Sequence, residues 1–228
     1  MLSAVAWVPS APVMVPELAA GAASELAELR TAVVAAAAEL PDRWIAVGVG
    51  DADGVIPPSA VGTFGGYGAD LPVALAPEPT GAATRLPLCA LITGWIRGCV
   101  NPAARAEVRV FAAALDATAA GDAGRALRAE IDAAPEPIGV LVVADGANTL
   151  TPPAPGGYDP ESVAVQEALD AALAAGDDAV LAALPDGIVG RAAYQVFAGL
   201  AAPGAVRELY RDAPYGVGYS VGVRAIGP

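Results

Sequence analysis

Short apolar runs that stop abruptly in glycine, proline or aspartate constrain this chain more than any other feature. Residues 3–8 read SAVAWV, Trp44–Val49 read WIAVGV, and Ile138–Ala144 read IGVLVVA. Runs of this length without polar alternation fit strands covered on both faces. Between the first two runs, Leu26, Leu29, Val33, Ala37 and Leu40 recur at helical spacing, with Glu25, Glu28 and Arg30 off that face. The helix is expected to begin near Pro16-Glu17, where proline suits the first turn and glutamate the macrodipole, and to stop at Pro41. Strand, helix, strand makes a βαβ unit, which is parallel and right-handed.

The rest of the chain extends the pattern. GDADGVIPPSAVGTFGGYGADLP reads as one long loop, ordered by Phe64 and Tyr67, and a loop of that length points to function. Leu86–Ile96 reads as a strand followed by a turn, and Glu107–Ala112 as a strand. Gly121–Ala134 reads as a helix with Leu127 and Ile131 inward. A helix is expected from Pro160-Glu161, with Val163, Leu169 and Leu173 on one side, ending at Gly176-Asp177. Two short helices follow, around Ala179–Leu184 and Arg191–Ala201. Ala205–Ile226 reads as a hairpin broken at Asp212-Ala213-Pro214. No repeat or linker divides the chain. The expected architecture is one α/β domain over residues 1–228, with a mixed, mostly parallel central sheet and helices on both faces.

Charge and composition narrow the function. A length of 228 residues and 55% apolar content support a sizeable core. A formal net charge of −13 argues against nucleic acid and anionic membrane as partners, since both require basic patches. Residues 1–16 carry no basic residue and are broken by Pro9, Pro12 and Pro16, which fits neither a signal peptide nor a membrane span. A cytoplasmic location is expected. Cys89 and Cys99 do not form a Cys-x-x-Cys motif and read as two buried, reduced thiols. Trp7, Trp44 and Trp95 read as core. A mean hydropathy of +0.52 leaves room for a homo-oligomer interface.

Two absences bear on chemistry. The chain has no lysine and no histidine, and all twelve of its basic residues are arginine. Without imidazole it lacks the usual general base at neutral pH and the commonest metal ligand.

Ligands of open α/β sheets bind outside the carboxyl ends of the strands. Three of the runs end in polar loops there: Val8-Pro9-Ser10, Gly50-Asp51-Ala52-Asp53 and Asp145-Gly146-Ala147-Asn148. If the strands are parallel neighbours, the loops converge on one crevice. Ser10, Asp51, Asp53, Asp145, Asn148 and Tyr158 are the candidate ligand-binding residues. Several bland readings stand beside this one. DADG lacks the ligands and closing glutamate of a calcium loop. Gly48-Val49-Gly50 lacks the third glycine and the helix of a dinucleotide fingerprint. Gly218-Tyr219-Ser220-Val221-Gly222 matches a nucleophile elbow in letters, yet it needs a following helix and a histidine, so a terminal strand is expected. Asp145 and Asn148 also suit turns that bond their own backbone.

The loops and their order resemble the LigB-like family, the catalytic-subunit fold of class III extradiol ring-cleaving dioxygenases, a fold shared with MEMO-type proteins. The likeness is to bacterial proteins of the extradiol dioxygenase B-subunit-like kind. VPSAPVMVPEL resembles the family's His-Pro-Pro-x-x-x-Pro-Glu opening loop, and Gly124-Arg125-Ala126-Leu127 its Gly-Arg-Ala-Leu helix. ADGANTLTPPAPGGYDP resembles its Ser-Asp-x-Ser-His-x-Leu-Thr loop, and PYGVGYSVGV its closing strand. The resemblance implies Fe(II) held by two histidines and a carboxylate, with a further histidine as acid and base. This chain departs from that set. Ser10 stands at the opening histidine, Ala147-Asn148 stand at the Ser-His pair, and the second-strand histidine falls within Gly50–Asp53. A serine hydroxyl is a poor ligand for iron, and an asparagine amide does not titrate near neutrality. No Fe(II) and no other metal is expected. The leading expectation is a pseudoenzyme that binds a small molecule or a protein partner. The alternatives are a dioxygenase with an all-oxygen metal site, a metal-free enzyme using Asp51, Asp53 or Asp145 as base, and a purely structural subunit.

Overall fold

The computed structural model describes residues 1–19, 21, 24–201 and 203–227. The three apolar runs are strands β1 (Leu2–Val8), β2 (Arg43–Gly50) and β7 (Ile138–Val143). The remaining strands are β3 (Gly54–Ile56), β4 (Val61–Thr63), β5 (Pro72–Ala74), β6 (Arg105–Ala112), β8 (Ala205–Asp212) and β9 (Tyr219–Ala225). The helices are α1 (Ala27–Ala37), α2 (Leu88–Val100), α3 (Ala117–Ala133), α4 (Glu161–Ala175), α5 (Asp178–Ala182) and α6 (Arg191–Gly199).

Seven strands form one sheet in the order β3-β6-β2-β7-β1-β9-β8. The inner four, β6, β2, β7 and β1, are parallel, and antiparallel strands close both edges. β7 sits between β1 and β2, with Val140 in register with Val5 and Ile45, and Val142 with Trp7 and Val47. The expected mixed sheet is present, and β4 pairs with β5 in a separate two-stranded ribbon.

Alternation across these strands builds two cores. Val5, Trp7, Ile45, Val47, Val140 and Val142 face α3, α4, α5 and α6. Ala4, Ala6, Val8, Ala46, Leu141 and Val143 face α1 and α2. A strand covered on both faces needs apolar residues at every position, which is why these runs show no polar alternation. Each fully buried valine or leucine stabilises the fold by roughly 1.5–3 kcal/mol relative to exposure. Trp7 carries a polar atom into one of these cores, and its Nε1 donates to Ser220 Oγ at 3.1 Å.

Several expectations require correction. LCALITGWIRGC is helix, not strand and turn. It is buried on nearly all sides, between the sheet, α1 and the β4–β5 ribbon, so it shows little of the polar face by which a helix is recognised. Its one cation, Arg97, donates to the carbonyls of Ala74 at 2.8 Å and Pro102 at 2.6 Å. The first helix begins at Ala27, after a 3-10 turn at Pro12–Met14; positions 20, 22 and 23 of the expected helix lie outside the described residues. Leu26, Leu29, Val33, Ala37 and Leu40 are all buried as the spacing demands. The long loop carries β3, β4 and a 3-10 turn at Phe64–Tyr67, anchored by fully buried Phe64. Cys99 is exposed; only Cys89 is buried. On α4, Leu169 and Leu173 point inward but Val163 faces solvent. Trp7 and Trp44 are core, while Trp95 is partly buried. Among the described residues, no helix is long and apolar enough to cross a membrane.

Candidate functional site

Because β1, β7 and β2 are adjacent and parallel, their carboxyl ends lie side by side as the runs imply. The loops after β1 and β7 are bonded to each other. The Ser10 backbone N–H donates to Asp145 Oδ1 at 2.8 Å. Asp145 is partly buried, and its own carbonyl accepts from Gly190 N at 2.9 Å. Asp145 is therefore a strut between loops as well as a candidate acid.

The segment after Asp145 is held from two sides. Gly146 N donates to Gly218 O and Gly218 N to Ala147 O, each at 2.8 Å, and Leu150 N donates to Gly216 O at 3.1 Å. From the other side, α4 presents a column of buried polar residues, Ser162, Gln166 and Asp170. Ser162 Oγ donates to Asp159 O at 2.6 Å and Thr149 O at 3.2 Å. Gln166 Oε1 accepts from Ala147 N, and Gln166 Nε2 donates to Asp170 Oδ1, both at 2.8 Å. The amide of Gln166 fits only because its neighbours lack side chains. A Cβ at Gly146 would lie 2.1 Å from Gln166 Oε1, and one at Gly218 would lie 2.2 Å from it.

Burial sets the electrostatics here. It pushes the Asp145 carboxyl up to about 7, with the Ser10 N–H pulling weakly the other way. Tyr194 and Tyr219 are held well above the ordinary phenol range, first by burial and then by the charge of Asp145. Tyr194 Oη donates to Ala144 O at 3.0 Å. Burial also raises Asp170, to about 6, against the opposing pull of Gln166 and Arg211. Cys89 is raised to about 11 by burial, which keeps its thiol protonated and unreactive.

Asp51 and Asp53 are exposed and open onto different cavities. Asp51 lines one of about 470 Å³ with Tyr67 and Arg85. Asp53 lines one of about 460 Å³ against α3, and its Oδ1 accepts from Ala112 N at 2.7 Å. Asn148 is partly buried and packed on Gly156, where a Cβ would stand 2.5 Å from Asn148 Oδ1. Tyr158 is exposed at the loop surface. The structure thus bonds Ser10 to Asp145, and it leaves Asp51, Asp53 and Tyr158 exposed to solvent. Sequence reading missed Ser162, Gln166, Asp170, Tyr194 and Tyr219. For the first three a signal existed, since polar residues four apart line one face of a helix.

The donor set does not fit the ferrous centre that the resemblance implies. Among the described residues, no three histidines, cysteines, aspartates or glutamates stand together as a metal site requires. Asp145 Oδ1 is already occupied by an N–H, and its neighbours are tyrosines and backbone. What remains is a desolvated carboxyl that holds or releases one proton near neutral pH.

No protein-family model matches the chain. A search of curated proteins finds no match either. Among solved structures, the uncharacterized protein JW3007 from Escherichia coli K12 is similar in fold, with a TM-score of 0.56 at 14% identity, covering 99% of this chain and 100% of that one.

Proposed function

We propose that the chain is a LigB-like protein without iron-dependent ring cleavage, keeping the fold to bind a small polar or aromatic molecule. One observation carries this reading: the loops at the carboxyl ends of β1 and β7 are tied together by Asp145, in a chain that contains no histidine. A carboxyl that accepts from a neighbouring loop's backbone ties together the two loops onto which the resemblance maps the family's opening histidine and its Ser-His pair. Asn148, at the position the resemblance gives to the acid-base histidine, carries an amide that moves no proton near neutrality. The test combines elemental analysis of the purified chain with oxygen uptake on catechols. The expected result is substoichiometric iron and no uptake, together with calorimetric binding of a catechol or a related small ring. Stoichiometric iron with turnover would overturn the reading.

A second reading rests on Asp145 alone. Its carboxyl titrates near 7, where a general acid or base of a metal-free enzyme works best. Asp51 and Asp53 line cavities that do not include Asp145. This reading requires a metal-independent activity that rises or falls with a midpoint near pH 7 and is lost in Asp145→Asn.

A further inference from the structure

Strand β8 closes one edge of the sheet, and among the described residues no strand lies against its outer side. It is eight residues long and reads AVRELYRD, whereas β3 at the opposite edge has three residues. Long open edges invite pairing, and charged side chains usually block it. Here the order of the charges does the opposite.

A bulge between Glu208 and Tyr210 leaves Leu209 without a register partner on β9. Arg207, Tyr210 and Asp212 stand opposite Val223, Val221 and Tyr219, which face the α1–α2 core, and Leu209 packs on that core as well. Glu208 and Arg211 stand opposite Gly222 and Ser220, on the other face. In a regular strand, residues an odd number apart point to opposite faces. The bulge cancels that rule, so Arg207 shares a face with Asp212, and Glu208 shares one with Arg211. Counted outward from the Leu209–Tyr210 bond, the faces of β8 are palindromic and its charges are opposite in sign.

We infer that β8 pairs antiparallel with β8 of a second copy, about a two-fold axis between Leu209 and Tyr210, joining the two sheets into one. That axis sets Glu208 opposite Arg211 of the partner subunit and Arg207 opposite Asp212 of the partner subunit. Each pair occurs twice by symmetry. Leu209 and Tyr210 form the apolar centre. Shifting the axis onto Leu209 would set Arg207 against Arg211 of the partner subunit, so the charges select the register. The strand itself is neutral within a chain of net charge −13, so its pairing adds no net like charge between the two strands. Arg207 already meets Glu39 at 2.7 Å and Arg211 reaches Glu208 at 3.6 Å, but a guanidinium has five N–H groups and serves two carboxylates.

The inference is independent of any ligand, and sedimentation of the full chain tests it. At about 50 µM the wild type should run at twice the mass of one 22.4 kDa chain. Glu208→Arg alone and Arg211→Glu alone should each weaken the dimer by about tenfold or more, because two attractive pairs per dimer become repulsive. The double exchange Glu208→Arg with Arg211→Glu should restore it. Circular dichroism checks that each variant is folded, and two single variants guard against one that is not. A wild type that stays monomeric, or a dimer indifferent to both reversals, would overturn the proposal.

Discussion

Asp145 shows how much one side chain's surroundings decide. Its carboxyl is raised from 3.8 to about 7 by burial, so the folded chain holds a proton that the unfolded chain has already released. Between those values the native state binds more protons than the unfolded one. Stability therefore falls as pH rises through that window and levels off above about pH 7. Asp145→Asn removes the buried charge and keeps an oxygen for the Ser10 N–H. It should match the wild type near pH 3.5 and exceed it at pH 8 by roughly 2–4 kcal/mol in urea unfolding. No gain at pH 8 would mean that the carboxylate is well solvated in the fold. That Asp145 sits at a strand end was legible from IGVLVVADG. That its carboxylate would reach the backbone of a residue 135 positions away was not. A hydrogen bond across such a separation leaves no trace in local sequence.

Helices repeat the lesson on a larger piece of chain. In sequence Val163, Leu169 and Leu173 mark one side of α4, yet half of its buried face is polar. Gln166 satisfies the Ala147 N–H and Asp170 together, so Gln166→Ala strands a buried donor and loosens the loop behind Asp145. We expect a loss of about 2–3 kcal/mol in urea unfolding, with faster amide exchange over residues 145–150. Gly124, in the Gly-Arg-Ala-Leu stretch, has a packing reason to be glycine. A Cβ there would stand 2.2 Å from Val196 O and 2.7 Å from Gly199 Cα, where α3 crosses α6. Gly124→Ala should therefore destabilise by about 2 kcal/mol or more, although alanine is the better helix former by about 1 kcal/mol. A neutral result in thermal unfolding would show that the crossing is loose. α2 has a strand-like sequence because burial on nearly all sides removes the polar stripe that identifies a helix.

For the molecule as a whole, the order β6-β2-β7-β1 at the centre of the sheet dictates both rigidity and the place of the loops. Amides of β7, flanked by strands on both sides and covered by both cores, should exchange slowest, and those of β3 fastest; comparable rates would contradict this layering. The runs SAVAWV, WIAVGV and IGVLVVA are sufficient to announce buried strands, because burial on both faces leaves only one composition that works. The missing imidazole is equally plain on the page, and no folding can supply it. The fold alone settled which loops touch, which acid is desolvated and where Asp51 and Asp53 end up. Those outcomes depend on distances between segments far apart in the chain, and the strength of a charge or a hydrogen bond is set by what surrounds it in space, not by its neighbours in sequence.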